Sequence, residues 1–241
     1  MIWSESTSEE VGEAAAAGLI AVLPVGAIEQ HGPHLPTGTD TLLAERAARM
    51  ACVRTGDVLM PTLALGCSLG HTDRWPGTLS LTPGTQTQMV LELGRWVHAS
   101  GFRRFFLVNA HATNGPPCQS ALLQLRHELP DLLVRFVSVF DLTPEIAERY
   151  RSDADDFHAN EAETSLMLHA APDQVRMERT VDEADLTAGR VWQYAMPAVT
   201  HSGVVGSPSR ADATSGEQLI ELVVTCLADL LSRGRAERLE I

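Results

Sequence analysis

An α/β fold built on a mostly parallel sheet is predicted for this chain of 241 residues. Short apolar runs alternate along it with longer stretches of helical spacing, an order that belongs to parallel α/β sheets rather than to sandwiches or bundles. One run, Phe105-Phe106-Leu107-Val108, is apolar throughout, as a buried strand requires. No repeat or low-complexity tract interrupts the pattern, and the length suits a single domain, 1–241.

The elements follow in order. Residues 14–27 form the longest apolar run, and its core, 18–25, reads as the first strand. A helix over 39–53 comes next, with Thr39 as its cap. A second strand is expected at 57–65 and a short third at 78–81. The helix over 83–99 places Val90, Leu93 and Val97 on one face and stops at Gly101. Residues 102–108 are a strand, and 116–129 a helix opened by a proline, whose missing N–H costs little there. A strand over 134–140, a short helix over 163–170 and a long amphipathic helix over 214–233 complete the chain. The stretches 29–38, 66–77, 141–160 and 181–210 are irregular, and loops of that length are usually functional or disordered.

Composition excludes several chemistries. All 18 basic residues are arginine. A lysine Schiff base, a Walker-type phosphate loop and a serine enzyme with a lysine base are therefore ruled out. A net charge of -13 argues against nucleic acid and against an anionic membrane surface, so a small molecule is the expected partner. The first apolar run follows acidic residues with no base before Arg46, and it contains Pro24 and Gly26; it is neither a secretory leader nor a membrane span. A cytoplasmic protein is expected. Cys52, Cys67, Cys118 and Cys226 form no C-x-x-C pair, so they read as structural thiols.

Three segments carry chemistry. After the first strand comes Glu29-Gln30-His31, with Asp40 at the entrance of the next helix. In extended chain, residues two apart point the same way, so Glu29 and His31 can share one site. After the apolar strand comes Asn109-Ala110-His111-Ala112-Thr113-Asn114, again past a strand's carboxyl end, where open α/β sheets bind ligands. The third segment is His158-Ala159-Asn160-Glu161-Ala162-Glu163. Imidazoles and carboxylates together suit zinc, manganese or iron.

The run from Leu23 to Pro36, with Thr39-Asp40, closely resembles the N-terminal signature of the creatininase (creatinine amidohydrolase) family. Pro76-Gly77-Thr78-Leu79-Ser80, Asn109 to Asn114, His158 to Ser165 and Gly203 to Pro208 resemble its later landmarks in the same order. The resemblance implies a three-layer α/β/α fold, a homo-oligomer, usually a hexamer, and a two-metal site that hydrolyses C–N bonds. It implies that Glu29, Asp40 and His111 hold one metal and His31 and Asp40 the other, with Asp40 bridging. Creatinine-hydrolysing members carry a further carboxylate where this chain has Thr113; Glu163, in the family's Glu-Thr-Ser run, is the expected substitute. His158 matches a histidine near the substrate, and Asn114 ends a turn found in relatives with other substrates.

Two cations about 3.5–4 Å apart acidify a shared water enough to hold a hydroxide near neutral pH, and one polarises the scissile carbonyl. His158 is then the expected proton donor to the leaving nitrogen, with Glu161 orienting it or moving protons itself. His71 and Trp75 are expected at the rim with Asn114 as substrate contacts, although His71 also suits a surface position. His34 supports the first loop from behind. Gly66-Cys67-Ser68-Leu69-Gly70 fits a nucleophile elbow in pattern, but no helix follows it. The loop 141–157 lacks the tryptophan of creatinine hydrolases, which argues against creatinine itself. The expected activity is metal-dependent hydrolysis of a small cyclic amide, lactam or formamide. A cofactor-pathway peptidase or deformylase and a non-catalytic metal-binding scaffold are the alternatives.

Overall fold

A computed structural model describes residues 1–238. Four strands, β1 (Ala21–Val25), β2 (Val58–Leu59), β3 (Arg104–Asn109) and β4 (Leu133–Ser138), form one parallel sheet in the order β2-β1-β3-β4. Register aligns Ala21 with Phe105 and Val25 with Asn109, so β1 and β3 end side by side.

Strand period two divides the core. Val22, Phe106 and Val108 point into one apolar cluster; Ala21, Leu23, Val25, Phe105 and Leu107 point into the other. The first is covered by α2 (Thr39–Thr55), α5 (Pro144–Tyr150), α6 (Glu161–Ala170) and α8 (Ala213–Ala236), the second by α1 (Ser8–Ala16), α3 (Pro83–Ala99) and α4 (Gly115–Glu128). This is the three-layer α/β arrangement, with β1 and β3 buried on both faces.

Local chemistry sets the boundaries. The apolar run 14–27 is not all strand: α1 takes its first residues, opened by a capping box in which Thr7 and Glu10 satisfy each other's backbone N–H groups. Thr39 is the first residue of α2 rather than its cap; its hydroxyl donates instead to the Pro36 carbonyl at 2.8 Å. The strand expected at 57–65 shrinks to β2 plus one bridge from Leu63 to Val25, and that at 78–81 to a single antiparallel bridge between Leu79 and Ile28. Helix α5, capped by Thr143, occupies part of a stretch expected to be irregular. The short α7 (Met196–Val199) does the same in the late loop. Helix α6 starts at Glu161, two residues early, because Asn160 caps it by accepting from the Glu163 N–H.

Helix α8 packs Leu219, Ile220, Val223, Val224 and Leu227 into the core, each worth about 1.5–3 kcal/mol. Gly216 lets it approach α6: a Cβ there would lie 1.9 Å from the Ser165 carbonyl oxygen. Among the described residues no helix is long and apolar enough to cross a membrane. All four cysteines are free thiols, and Cys52, Cys67 and Cys118 are buried.

Candidate metal centre

The ends of β1 and β3 deliver the first two segments to one place, and the loop leading into α6 brings the third. Glu29, His31, Asp40, His111, His158 and Glu163 are all at most 7% exposed. Their ligand atoms form three overlapping groups, Glu29–Asp40–His111, His31–Asp40–Glu163 and Glu29–His31–His158, each within 4.8 Å.

Asp40 stands at the centre. Its Oδ1 lies 3.2 Å from His31 Nε2, and its Oδ2 lies 3.2 Å from His111 Nδ1. Glu29 Oε2 is 3.3 Å from His111 Nε2. Each imidazole is oriented from behind. His31 Nδ1 donates to the Glu29 carbonyl at 3.2 Å, which turns Nε2 toward Asp40. His111 Nε2 meets the Cys67 carbonyl at 3.0 Å and the Thr113 hydroxyl at 2.6 Å, which leaves Nδ1 toward Asp40. Thr113 thus braces a histidine rather than replacing a carboxylate. Glu163 takes the place beside His31 and Asp40, with its Oε2 held at 2.7 Å by the Ala159 N–H. Ala159 adopts a left-handed backbone, φ 49°, uncommon for a residue with a side chain, and so turns the chain between His158 and Glu163.

The buried charges balance through protons. Burial alone would strip His31 of its proton, but Asp40, with Glu163 and Glu29 behind it, lifts it to about 10. His111 is raised in the same way by Glu29 and Asp40 against its burial. Glu29, despite burial, is drawn down to about 2 by His111, and Asp40 is held far below the usual carboxylate range by His31 and His111. Glu163 is pushed up to about 7 by burial, His31 only partly offsetting it. Glu29 Oε2, His31 Nε2 and Asp40 Oδ2 are buried with no hydrogen-bond partner among the described residues. Buried unpaired donors and acceptors of this type are what a cation would satisfy.

Gln30 organises the other side. Its Oε1 accepts from the Gly32 N–H at 3.0 Å, and its amide nitrogen reaches the Gly203 carbonyl and His71 Nδ1, both at 3.2 Å, and His158 Nε2 at 3.0 Å. His158 Nε2 also lies 2.8 Å from the Gln30 carbonyl. On the shorter contact His158 Nε2 donates to the Gln30 carbonyl, the Gln30 amide donates to the Gly203 carbonyl and to His71 Nδ1, and its approach to His158 Nε2 is a close contact rather than a hydrogen bond. His158 Nδ1 then faces Glu29 Oε1 at 3.7 Å. Burial, with His31 and His71 nearby, keeps His158 neutral, and burial also lowers His71. The backbone of His158 is clamped to Val205 by two hydrogen bonds of 3.0 and 2.8 Å.

The remaining expected site residues divide. His71 is buried over Glu29, 3.8 Å from Oε1, and not on the surface. Trp75 packs on a small cluster of Ala154, Met196, Val199 and Val205. Asn114 does not face a substrate position: its Oδ1 accepts from Cys67 N–H and Gln86, and its Nδ2 donates to the Gly26 carbonyl and Asn109. With all its capacity used, it ties the ends of β1 and β3 to the 66–77 loop. Glu161 turns to Arg210, 3.3 Å away, and not to His158. His34 supports the first loop through Thr164 at 2.9 Å. Gln30 is the residue that sequence reasoning passed over; its position between two ligand candidates is the available signal.

Carboxylates and imidazoles gathered past the carboxyl end of a parallel sheet, in a three-layer α/β protein, make a buried cluster that could hold a divalent metal ion. The family profile described as creatinine amidohydrolase matches residues 4–231, and the chain belongs to this creatininase family. It is 31% identical over 230 residues to the mycofactocin precursor peptide peptidase of Mycolicibacterium smegmatis, covering 91% of this chain and 87% of that protein. It is 32% identical to the creatinine amidohydrolase of Pseudomonas putida, covering 94% of each. A solved creatininase mutant described as the Zn–Zn type superposes with a TM-score of 0.88 at 29% identity, covering 98% of each chain. The protein is a hydrolase of this family.

Proposed function

We propose that this chain is a divalent-metal-dependent amidohydrolase that holds two cations, zinc, manganese or iron, and cleaves a C–N bond of a small cyclic amide, lactam or formamide. One observation carries the reading: the two oxygens of Asp40 face two different imidazoles, each at 3.2 Å, as a carboxylate shared between two cations must. Glu29, Asp40 and His111 would hold one cation and His31, Asp40 and Glu163 the other. When bound, the pair supplies Lewis acidity and acidifies water.

The chain's own groups do the rest. His158, its Nε2 proton anchored on the Gln30 carbonyl, has Nδ1 open to take a proton and return it to the leaving nitrogen. Gln30 fixes His158 through its carbonyl and His71 through its side-chain amide. The near-complete burial of these side chains keeps bulk water out and favours a small substrate. The absence of tryptophan between residues 141 and 157 argues against creatinine. A second reading, hydrolysis of a short peptide, is favoured by the 31% identity to a peptide peptidase. Exposed Val191 and Trp192 in the late loop support assembly of several copies, a hexamer by family resemblance, and the free thiols support a cytoplasmic setting.

The test combines metal analysis with a substrate panel of cyclic amides including creatinine, formamides and short peptides. Asp40→Ala should lose bound metal, whereas His158→Ala should keep it and lose about 10²–10⁴-fold in turnover. Undiminished hydrolysis by His158→Ala removes the proton-transfer role. Cleavage of peptides alone selects the second reading, and no cleavage at all selects a scaffold.

A further inference from the structure

The stretch Asp182-Glu183-Ala184-Asp185 carries three carboxylates, and each accepts hydrogen bonds from a different segment of the late or middle loops. Asp182 takes Ser209 through its N–H at 3.0 Å and its hydroxyl at 2.6 Å, and Asp185 takes the N–H groups of Asp155 and Asp156 at 3.1 and 3.2 Å. Glu183 takes the turn at 200–202. The Thr200 hydroxyl and the His201 N–H, the latter at 2.8 Å, donate to its Oε2, and the Ser202 N–H donates to its Oε1 at 3.1 Å.

Of the three, Glu183 leads to the metal centre, and by two routes. Thr200 is 3% exposed and passes the contact on, because its hydroxyl oxygen accepts from the Gly203 N–H at 3.1 Å. Gly203, with φ 84°, turns its carbonyl to the Gln30 amide, 3.2 Å away, and that amide also donates to His71. The fit has no slack: a Cβ on Gly203 would lie 1.9 Å from Gln30 Oε1. On the backbone side Glu183 and Gly206 exchange two hydrogen bonds, of 3.0 and 2.7 Å, beside the pair that joins Val205 to His158. Glu183 therefore anchors both ends of the segment 200–206, which touches Gln30 at one place and His158 at another. Hydrogen bonds to a carboxylate are about twice as strong as neutral ones, so the anchor is a firm one.

We infer that Glu183 is a positioning residue for the hydrolysis, an assignment that rests on His158 moving the proton as proposed above. Through the Thr200–Gly203 turn and the Gly206 pairing it holds Gln30 and His158 in place over Glu29, while standing outside the ligand set itself.

Nitrogen NMR of the full chain with isotope-labelled histidine reads the His158 tautomer without any substrate, the signal being assigned with His158→Ala. Zinc content is measured on the same samples, and turnover on whichever amide of the panel the parent cleaves. The parent should show one neutral His158 tautomer, protonated at Nε2. Glu183→Ala should keep its zinc, mix the two tautomers and lose about 10–100-fold in kcat with KM within about twofold, as misplacement of a reacting group does. Glu183→Gln, which keeps one acceptor oxygen, should recover part of that loss, and Thr200→Val, which removes only the relay hydroxyl, should move the same signals by less. Asp182→Asn loosens the same stretch at Ser209 and should leave both tautomer and kcat as in the parent. A parental tautomer and kcat in Glu183→Ala overturns the assignment. Loss of zinc by that variant also overturns it, since the effect would then run through the ligands, and so does an equal loss in Asp182→Asn, which would mean general loosening of the loop. A parent that cleaves nothing, with the tautomers still mixing in Glu183→Ala, removes the proposed reaction and supports the tie between Glu183 and His158.

Discussion

At Asp40 two imidazoles meet one carboxylate in a place sealed from water, and the protons on His31 and His111 are what makes that arrangement tolerable without a cation. A divalent cation needs those nitrogens bare. Loading should therefore release between about two and three protons per chain near pH 7, from His31, His111 and in part Glu163, and affinity should rise with pH. Calorimetry of zinc binding in two buffers of different ionisation enthalpy measures this; heats independent of buffer would contradict it. Glu29, His31, Asp40, His111, His158 and Glu163 were legible in the sequence because each is a polar, ligand-type group set just past an apolar strand or before a helix. Asn114 and Glu161 show the limit of that reasoning. Their residue types suit the site, yet hydrogen bonds to Gly26, Cys67, Gln86 and Asn109 consume the first and Arg210 attracts the second.

Helices with strong local signals were readable to the residue, as α3 shows, with Thr82 before Pro83 and Gly101 just after. Helix α1 was hidden because its alanines run without a break into the residues before β1, and periodicity cannot separate a short buried helix from a strand. The strand expected at 78–81 failed for a different reason: one bridge to Ile28 is a tertiary pairing that no local pattern encodes. Packing between elements gives its own prediction. Gly216→Ala sets a methyl group against the Ser165 carbonyl, so α8 must move away from the helix that carries Glu163. Urea denaturation should show a loss of about 1–3 kcal/mol, with weaker metal retention as its companion. A fully stable variant would mean that α8 can slide without cost.

For the molecule as a whole, the metal centre couples stability to pH. His31 is raised to about 10 in the folded protein against about 6.5 unfolded. Its contribution is complete below pH 6.5 and is lost as pH climbs through 10. Glu163, raised to about 7, acts in the same direction between its unfolded value near 4.5 and 7. Chelator-treated protein should accordingly lose melting temperature as pH rises from 6.5 to 10. Zinc at about 100-fold over its dissociation constant should add about 2.7 kcal/mol and flatten that decline. Melting curves with and without chelator across that range decide it; parallel pH profiles would contradict the coupling.

The ligand set is drawn from positions 29 to 163, three segments of one chain that meet only when β1 and β3 are paired and α6 is docked. Closing such distant loops is the slow part of assembling a parallel sheet. No early, partly folded chain can offer a cation the full set of donors, so under the proposed function metal capture would come late and act as a seal on a completed fold. On the proposed function, a cell that withholds metal would leave this protein folded around protons, intact in outline and chemically silent.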